Sequence, residues 1–307
     1  MTATHRGTGG NLADGLTHRP LSLRDATAVF EVMAAEQQQT LGRVDVEEAD
    51  IIADWNRPSH DLSSHAVGVL DGTRVVGYAE VMGSSRGDAA VHPAYHGRGV
   101  GTWLARWMQD RARELGEVEI GMPVPAGSPG ERLLRELGYH VRWDSWVLQM
   151  PPGRELAAPV LPSGHSLRVA ESDEDRRAAY DVIEDAFLEW SVRAKQSYED
   201  WLAQVVGRPG FEPWNLRVVS GPDGDVVGGL HVVLAGDTGF VSKVAVRRDQ
   251  RGRGIAKALL LDAFRTAREH GASRSELSTD SRTGALDLYL ALGMEVTDRW
   301  VNLGVEL

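Results

Sequence analysis

The sequence predicts a mixed α/β protein made of two tandem copies of one domain. Three observations carry this reading. A glycine turn occurs twice, as His96-Gly97-Arg98-Gly99-Val100-Gly101 and as Arg251-Gly252-Arg253-Gly254-Ile255-Ala256. The copies hold register, because Gly99 and Gly254 are 155 residues apart and so are Gly138 and Gly293. Upstream, Val75-Val76-Gly77 matches Val226-Val227-Gly228, and Leu21-Ser22-Leu23-Arg24 matches Ser166-Leu167-Arg168. Features kept in one order over that span mark a duplicated fold, not a short-period solenoid.

Each half then reads as the same succession of elements. In the first, Leu21 to Arg24 reads as a strand and Ala26 to Gln39 as a helix. His65 to Leu70 and Val75 to Met82 form a hairpin around Asp71-Gly72, a dipeptide suited to a tight turn. Ala89-Ala90-Val91 leads into the glycine turn, and Thr102 to Leu115 continues it as an amphipathic helix. Val118 to Met122 is a strand, Gly130 to Leu137 a helix and Tyr139 to Leu148 a strand. In the second half, Ser166 to Val169 is a strand, and Glu174 to Trp190 and Ser197 to Val206 are helices. Leu216 to Ser220 and Val226 to Leu234 form a hairpin around Asp223-Gly224. Gly239 to Val246, Arg274 to Thr279 and Met294 to Val305 are strands; Ile255 to Gly271 and Gly284 to Leu292 are helices. Two units result, each a sheet of antiparallel and parallel strands with helices on both faces.

The expected divisions are a disordered tail at 1–15, a first domain at 16–150, a linker at 151–163 and a second domain at 164–307. The tail is Thr/Gly-rich and lacks the apolar core of a signal peptide, which points to a cytoplasmic protein. The linker follows from Pro151, Pro152, Gly153, Pro159, Pro162 and Gly164.

Composition narrows the function. A 307-residue chain with 42% hydrophobic and 25% charged residues is a globular protein of two-domain size. No apolar run is long enough for a bilayer. With no cysteine there is no disulfide, thiol catalysis or thiolate-held metal, and no metal is expected. A net charge of −11 without a basic block argues against nucleic-acid binding. It favours a cationic small-molecule amine as the partner.

The repeated turn is chemically specific. A strand, a glycine turn and a helix N-terminus in that order make an anion site. Glycine lets backbone approach the ligand, and the first helical amides point at a phosphate. Arg251 and Arg253 add charge suited to a pyrophosphate.

These residues resemble the GNAT acetyltransferase superfamily. Its signature is Gln or Arg, two residues, Gly, one residue, then Gly or Ala, and Arg251 to Ala256 follows it fully. His96 to Gly101 follows it except at His96. Leu288-Tyr289-Leu290-Ala291-Leu292-Gly293-Met294 is similar to the family's Leu-Tyr helix. The duplication and the arginine-rich composition are also similar to the mycothiol-synthase-like tandem members of high-GC bacteria.

The resemblance implies that acetyl-CoA lies between splayed parallel strands. Its pantetheine arm would pair with Val244, Ala245 and Val246. Its pyrophosphate would sit on Arg251, Gly252, Arg253, Gly254, Ile255 and Ala256, with Arg282 near a phosphate. It implies direct attack by a primary amine in a ternary complex, with Tyr289 as general acid toward the departing thiolate. Val91, His96, Gly97, Arg98, Gly99, Val100 and Gly101 would form a second cofactor site. Leu134 stands opposite Tyr289 in the repeat and cannot donate a proton, so the first half reads as degenerate and the second as catalytic.

The general base is open. No carboxylate lies in Gly239 to Lys243, the strand where family members often place one. His231 is the first candidate because its ordinary pKa is near neutral; Asp185, Glu189 and Glu276 are the others. Phe187, Trp190, Trp201, Trp214 and Trp300 are candidates to line an acceptor pocket. Two other functions compete: acetylation of a cysteine glycoside, and a non-catalytic acyl-CoA-binding regulatory module. A monomer and a homodimer fit equally.

Overall fold

The computed structural model describes residues 12–83 and 85–307. The chain forms two compact units. One runs to Asp144 and takes back Trp300–Leu307; the other is Ser145–Arg299.

In unit 1 the elements are β1 (Leu16–Pro20), α1 (Ala26–Leu41), α2 (Glu48–Trp55) and α3 (Leu62–His65). They continue as β2 (Ala66–Asp71), β3 (Arg74–Gly83), β4 (Arg86–Val91), α4 (Val100–Glu114), β5 (Glu119–Pro125) and α5 (Pro129–Glu136). Unit 2 takes the end of β6 (His140–Gln149), then β7 (Ser166–Val169), α6 (Asp173–Leu188), α7 (Tyr198–Val205), β8 (Leu216–Ser220) and β9 (Val226–Ala235). It continues as β10 (Thr238–Val246), α8 (Ile255–Glu269), β11 (Arg274–Asp280), α9 (Leu286–Leu292) and most of the first half of β12 (Glu295–Glu306).

Unit 1 orders its strands β1-β2-β3-β4-β5, and the end of β12 pairs antiparallel with β5 from Trp300↔Pro125 to Glu306↔Glu119. Unit 2 orders its strands β7-β8-β9-β10-β11, and the end of β6 pairs antiparallel with β11 from Gln149↔Glu276 to Ser145↔Asp280. Each sheet is therefore closed by a strand from outside its own repeat. Val301 and Leu303 join the core of unit 1, and Leu148 and Met150 join that of unit 2.

This exchange moves the division expected at Met150 to Asp144/Ser145, with a return at Arg299/Trp300. The Pro/Gly stretch after Met150 does not behave as a free linker. Leu156 and Leu161 pack against the core of unit 2, and Arg154 donates to the Gly293 carbonyl at 3.2 Å. Residues 1–11 of the expected tail lie outside the described residues; Leu12 and Ala13 pack on the core of unit 1.

Both faces of each sheet are covered, and glycine pairs show how. In unit 2 a Cβ on Gly228 would meet Ile255 and Leu259 of α8, while one on Gly229 would meet Ile183 of α6. Adjacent strand residues point to opposite faces, so α8 and α6 lie on opposite sides. In unit 1 a Cβ on Gly77 would meet Val100 and Leu104 of α4. Gly77 is thus the counterpart of Gly228, and the same two helix positions oppose both.

The repeat also corrects one sequence match. Leu21 to Arg24 is not a strand. Ser22 instead caps the short helix that opens at Leu23, with Asp25 completing a capping box. Arg19 on β1 forms a bidentate pair with Asp25 (2.9 and 2.7 Å), as Arg168 on β7 does with Asp175 (2.6 and 2.7 Å). Ser172 and Asp175 make the same capping box. The true counterparts are therefore Arg19 and Arg168. The sequence reading also passed over α2, an eight-residue helix that buries only Ile51, Ala53 and Trp55.

Candidate functional site

Both glycine turns are built alike. Gly252 and Gly254 have φ of 75° and 84°, and Gly97 and Gly99 have 73° and 77°. Gly254 is the N-cap of α8 and Gly99 that of α4, and no side chain caps either helix. The first amides of a 15-residue helix are therefore left for an anion, and the helix dipole favours one there.

The position that distinguishes the two signatures proves conservative in structure. Arg251 Nε donates to the Val246 carbonyl at 3.0 Å, and His96 Nε2 donates to the Val91 carbonyl at 3.0 Å. Both side chains brace the turn against the last residue of the preceding strand. His96 thus does not by itself spoil the first site. Arg251 is further committed to Glu189, with contacts of 2.8 and 2.6 Å. Arg253 is exposed and makes no hydrogen bond or ion pair among the described residues, so it is a cation open to a phosphate.

The strands before the turns splay. β10 and β11 are paired in parallel only from Thr238↔Arg274 to Val241↔Leu277. A bulge follows between Val241 and Lys243. From Lys243 to Val246, β10 pairs with β9 alone. The far edge of Val244, Ala245 and Val246 is left open to an extended ligand. These groups fit a nucleotide-bearing thioester: an open strand edge, an uncapped helix start and one uncommitted arginine. In unit 1, β4 and β5 share the single pair Arg86↔Gly121.

Tyr289 lies on α9 at 6% exposure and packs into the core against α8. Burial pushes its hydroxyl up to about 12, away from the ordinary value near 10 assumed from sequence. Gly293, at φ 91°, ends α9. A Cβ there would run into the Arg154 guanidinium. Arg154 in turn accepts from Arg268 of α8 through its carbonyl at 3.0 Å. The stretch after Met150 therefore ties the tyrosine helix to the cofactor helix.

His231 lies on β9. It is 3% exposed, and neither ring nitrogen has a hydrogen-bond partner. Burial, with Lys243 and Arg208 nearby, pushes its pKa down to about 3, so it is a poor proton acceptor at neutral pH. Glu189 is held by Arg251, which lowers its pKa. Asp185 faces Lys195 at 2.8 Å and is largely exposed. Glu276 is buried, 3.9 Å from Arg274.

Arg282 stands just before α9. It pairs with Asp280 at 2.6 Å and lies over the Trp190 ring at 4.8 Å. Trp190 packs on Phe187 with centroids 5.2 Å apart, and Lys243 Nζ is 5.4 Å from the Phe187 ring. Those two half-buried rings are the aromatic pair beside the splay. Trp201 and Trp214 belong to the cores of unit 2, and Trp300 lies in unit 1. Sequence reasoning missed the Glu189 brace and Arg154, since nothing in their local pattern marks a contact 62 or 139 residues away.

The chain resembles known proteins in sequence and in fold. The acetyltransferase (GNAT) family matches residues 29–139 and 176–294. A mycothiol acetyltransferase of Thermobispora bispora is 28% identical over 242 residues, 76% of this chain and 79% of that one. One of Salinispora arenicola is 27% identical over 272 residues, 82% and 83% of the two chains. A GCN5-related N-acetyltransferase of Sphaerobacter thermophilus has a similar structure, with TM-score 0.73, 30% identity and coverage of 96% and 97%. A tandem GNAT protein of the clavulanic acid biosynthesis pathway shares the fold at TM-score 0.72 and 20% identity, over 95% and 98%. No helix among the described residues is long and apolar enough to cross a membrane. With two matched segments spanning most of its length, the chain belongs to the GNAT acetyltransferase family as a tandem member.

Proposed function

We propose that the chain transfers an acetyl group from acetyl-CoA to the primary amine of a small molecule, in a ternary complex on unit 2. The observation that carries the reading is the conjunction in unit 2 of the uncapped α8 start, the open edge of Val244–Val246 and a buried tyrosine on α9. Unit 1 shares the turn and the splay but has Leu134 where unit 2 has Tyr289.

In this reading the amides of residues 252–256 and Arg253 hold the pyrophosphate, and Val244–Val246 align the pantetheine arm. The Tyr289 hydroxyl hydrogen-bonds the departing sulfur. The nearby carboxylates Glu189, Asp280 and Glu184 are already engaged by Arg251, Arg282 and Arg193. In this reading the acceptor amine gives its proton to solvent and attacks as the neutral form.

A second reading specifies the acceptor. The relatives named mycothiol acetyltransferase resemble this chain over more than two thirds of both lengths, which favours a cysteine-glycoside amine. The test is thiol release from acetyl-CoA against that glycoside, aminoglycosides and polyamines. Release that depends on one amine class supports transfer. Binding of acetyl-CoA without release for any amine would favour a regulatory acyl-CoA module.

A further inference from the structure

The helix that carries Tyr289 does little to hold itself in place. α9 is seven residues long, its N-cap Ala285 offers no side-chain acceptor, and Tyr289 is its only buried residue. A helix that short is unstable without outside anchors. Leu288 and Leu290, on either side of the tyrosine, are 39% and 43% exposed. α5, its counterpart in unit 1, is better secured locally. Ser128 accepts the Glu131 amide at 3.1 Å, and Arg135 pairs with Glu131 at 2.8 Å.

Both helices end in the same loop. The Met294 amide donates to the Tyr289 carbonyl at 3.1 Å, and the Tyr139 amide to the Leu134 carbonyl at 3.0 Å. Gly293 and Gly138 hold the left-handed position, with φ of 91° and 87°. What lies against them differs. A Cβ on Gly138 would meet nothing within 4 Å. The place of a Cβ on Gly293 is taken by Cζ, Nη1 and Nη2 of Arg154, all at nearly one distance, so the flat face of the guanidinium covers the glycine. Nη1 also donates to the Gly293 carbonyl at 3.2 Å. The helix dipole favours a cation at that end. The Arg154 backbone is fixed separately. Its amide donates to the Pro151 carbonyl at 3.2 Å, its carbonyl accepts from Arg268 of α8 at 3.0 Å, and Leu156 packs on the core of unit 2. The guanidinium cap therefore stands over the helix with the tyrosine, and the matching place over the helix with Leu134 is open.

We infer that Arg154 is a positioning residue for Tyr289. Its guanidinium caps α9 on the loop that the Tyr289 carbonyl helps to close, and its own carbonyl is held by α8. It thereby sets where the Tyr289 hydroxyl stands relative to the cofactor helix. This role rests on the reading of Tyr289 as the residue that meets the departing sulfur. Truncating the side chain leaves the backbone contacts of Arg154 in place, so the fold is kept while α9 gains freedom.

The test labels the full chain with 3-fluorotyrosine and follows Tyr289 by fluorine NMR, its signal assigned by its loss in Tyr289→Phe. The probe is reduced coenzyme A. In the wild type the Tyr289 signal should move as coenzyme A saturates its site. Arg154→Ala should shift or broaden that signal and reduce its response, with the calorimetric affinity for coenzyme A unchanged within about 2-fold. A wild-type signal indifferent to bound coenzyme A would sink the reading of unit 2 itself, and the positioning role with it. A signal that responds in the wild type and behaves identically in Arg154→Ala would overturn the positioning role alone. The kinetic counterpart is a double-mutant cycle with the amine that releases thiol in the panel above. Arg154→Ala should lower kcat about 10-fold at unchanged acetyl-CoA KM, since small displacements of a reacting group are costly. Added to Tyr289→Phe, it should lower kcat by no more than about 2-fold. A merely structural cap would lower kcat equally in both backgrounds, and that result also overturns the role. The NMR comparison decides by itself if no amine of the panel is turned over.

Discussion

Gly254→Val is expected to abolish tight acetyl-CoA binding while leaving the protein folded. Two physical effects combine. The residue sits at φ 84°, and a β-branched side chain is a strong outlier there, at a cost of about 1–3 kcal/mol. A Cβ would meet no protein atom within 4 Å, so the strain is local and the core is untouched. The new side chain instead occupies the space above the α8 amides, where a phosphate must come close. Hydrogen bonds to a charged group contribute about 1.5–3 kcal/mol each. Losing even two corresponds to a fall in affinity of roughly 100-fold or more. Calorimetry with acetyl-CoA, alongside far-UV circular dichroism, checks both halves of the statement. A folded variant with unchanged affinity would make the turn a structural element only.

Tyr289→Phe is expected to lower kcat by roughly 10²-fold with little change in acetyl-CoA affinity. Positioned general acids contribute about 10²–10⁴-fold, and the raised pKa of Tyr289 puts it at the lower end. With a pKa near 12 it is a weak acid toward a thiolate whose conjugate acid lies at about 8.5. Donation of a hydrogen bond to the developing charge is its main contribution. The ring stays packed against the core shared with α8, so removing only the hydroxyl leaves the cofactor cleft intact. The loss therefore appears in kcat and equally in kcat/KM. Burial keeps the hydroxyl protonated up to about pH 12, so Tyr289 gives no basic limb to the pH–rate profile in the neutral range. A Phe variant with near-normal kcat would remove Tyr289 from the mechanism and leave unassisted thiolate departure.

Where a backbone rule forces the outcome, the sequence was legible. Strand, glycine turn and helix were readable in both halves because only glycine adopts positive φ freely, at Gly97, Gly99, Gly252 and Gly254. The hairpins at Asp71-Gly72 and Asp223-Gly224 and the helix from Ile255 followed from turn chemistry and apolar spacing. The strand exchange was not readable. Pro151, Pro152 and Gly153 mark a break in regular structure, but not that β6 has already crossed into the sheet of unit 2 before it.

Side-chain commitments were the least legible. Arg251 looked like a phosphate ligand and His96 like a defect, yet both hydrogen-bond the same carbonyl position. His231 looked like a neutral-range base because composition carries no information on burial. Its register with Lys243 was recoverable in principle. Carrying the hairpin and turn offsets onto single residues would have paired it with Glu80, and Lys243 with Asp88.

The claim that unit 2 performs the transfer is tested most directly by comparing Arg253→Glu with Arg98→Glu in one thiol-release assay. Arg253 has no partner among the described residues and stands at the α8 turn, so reversing its charge sets an anion beside the pyrophosphate. Arg98 holds the matching place at the α4 turn, 4.8 Å over the Tyr95 ring. Turnover should be lost in Arg253→Glu and largely kept in Arg98→Glu. Loss in Arg98→Glu with turnover kept in Arg253→Glu would assign the chemistry to unit 1 and contradict the account.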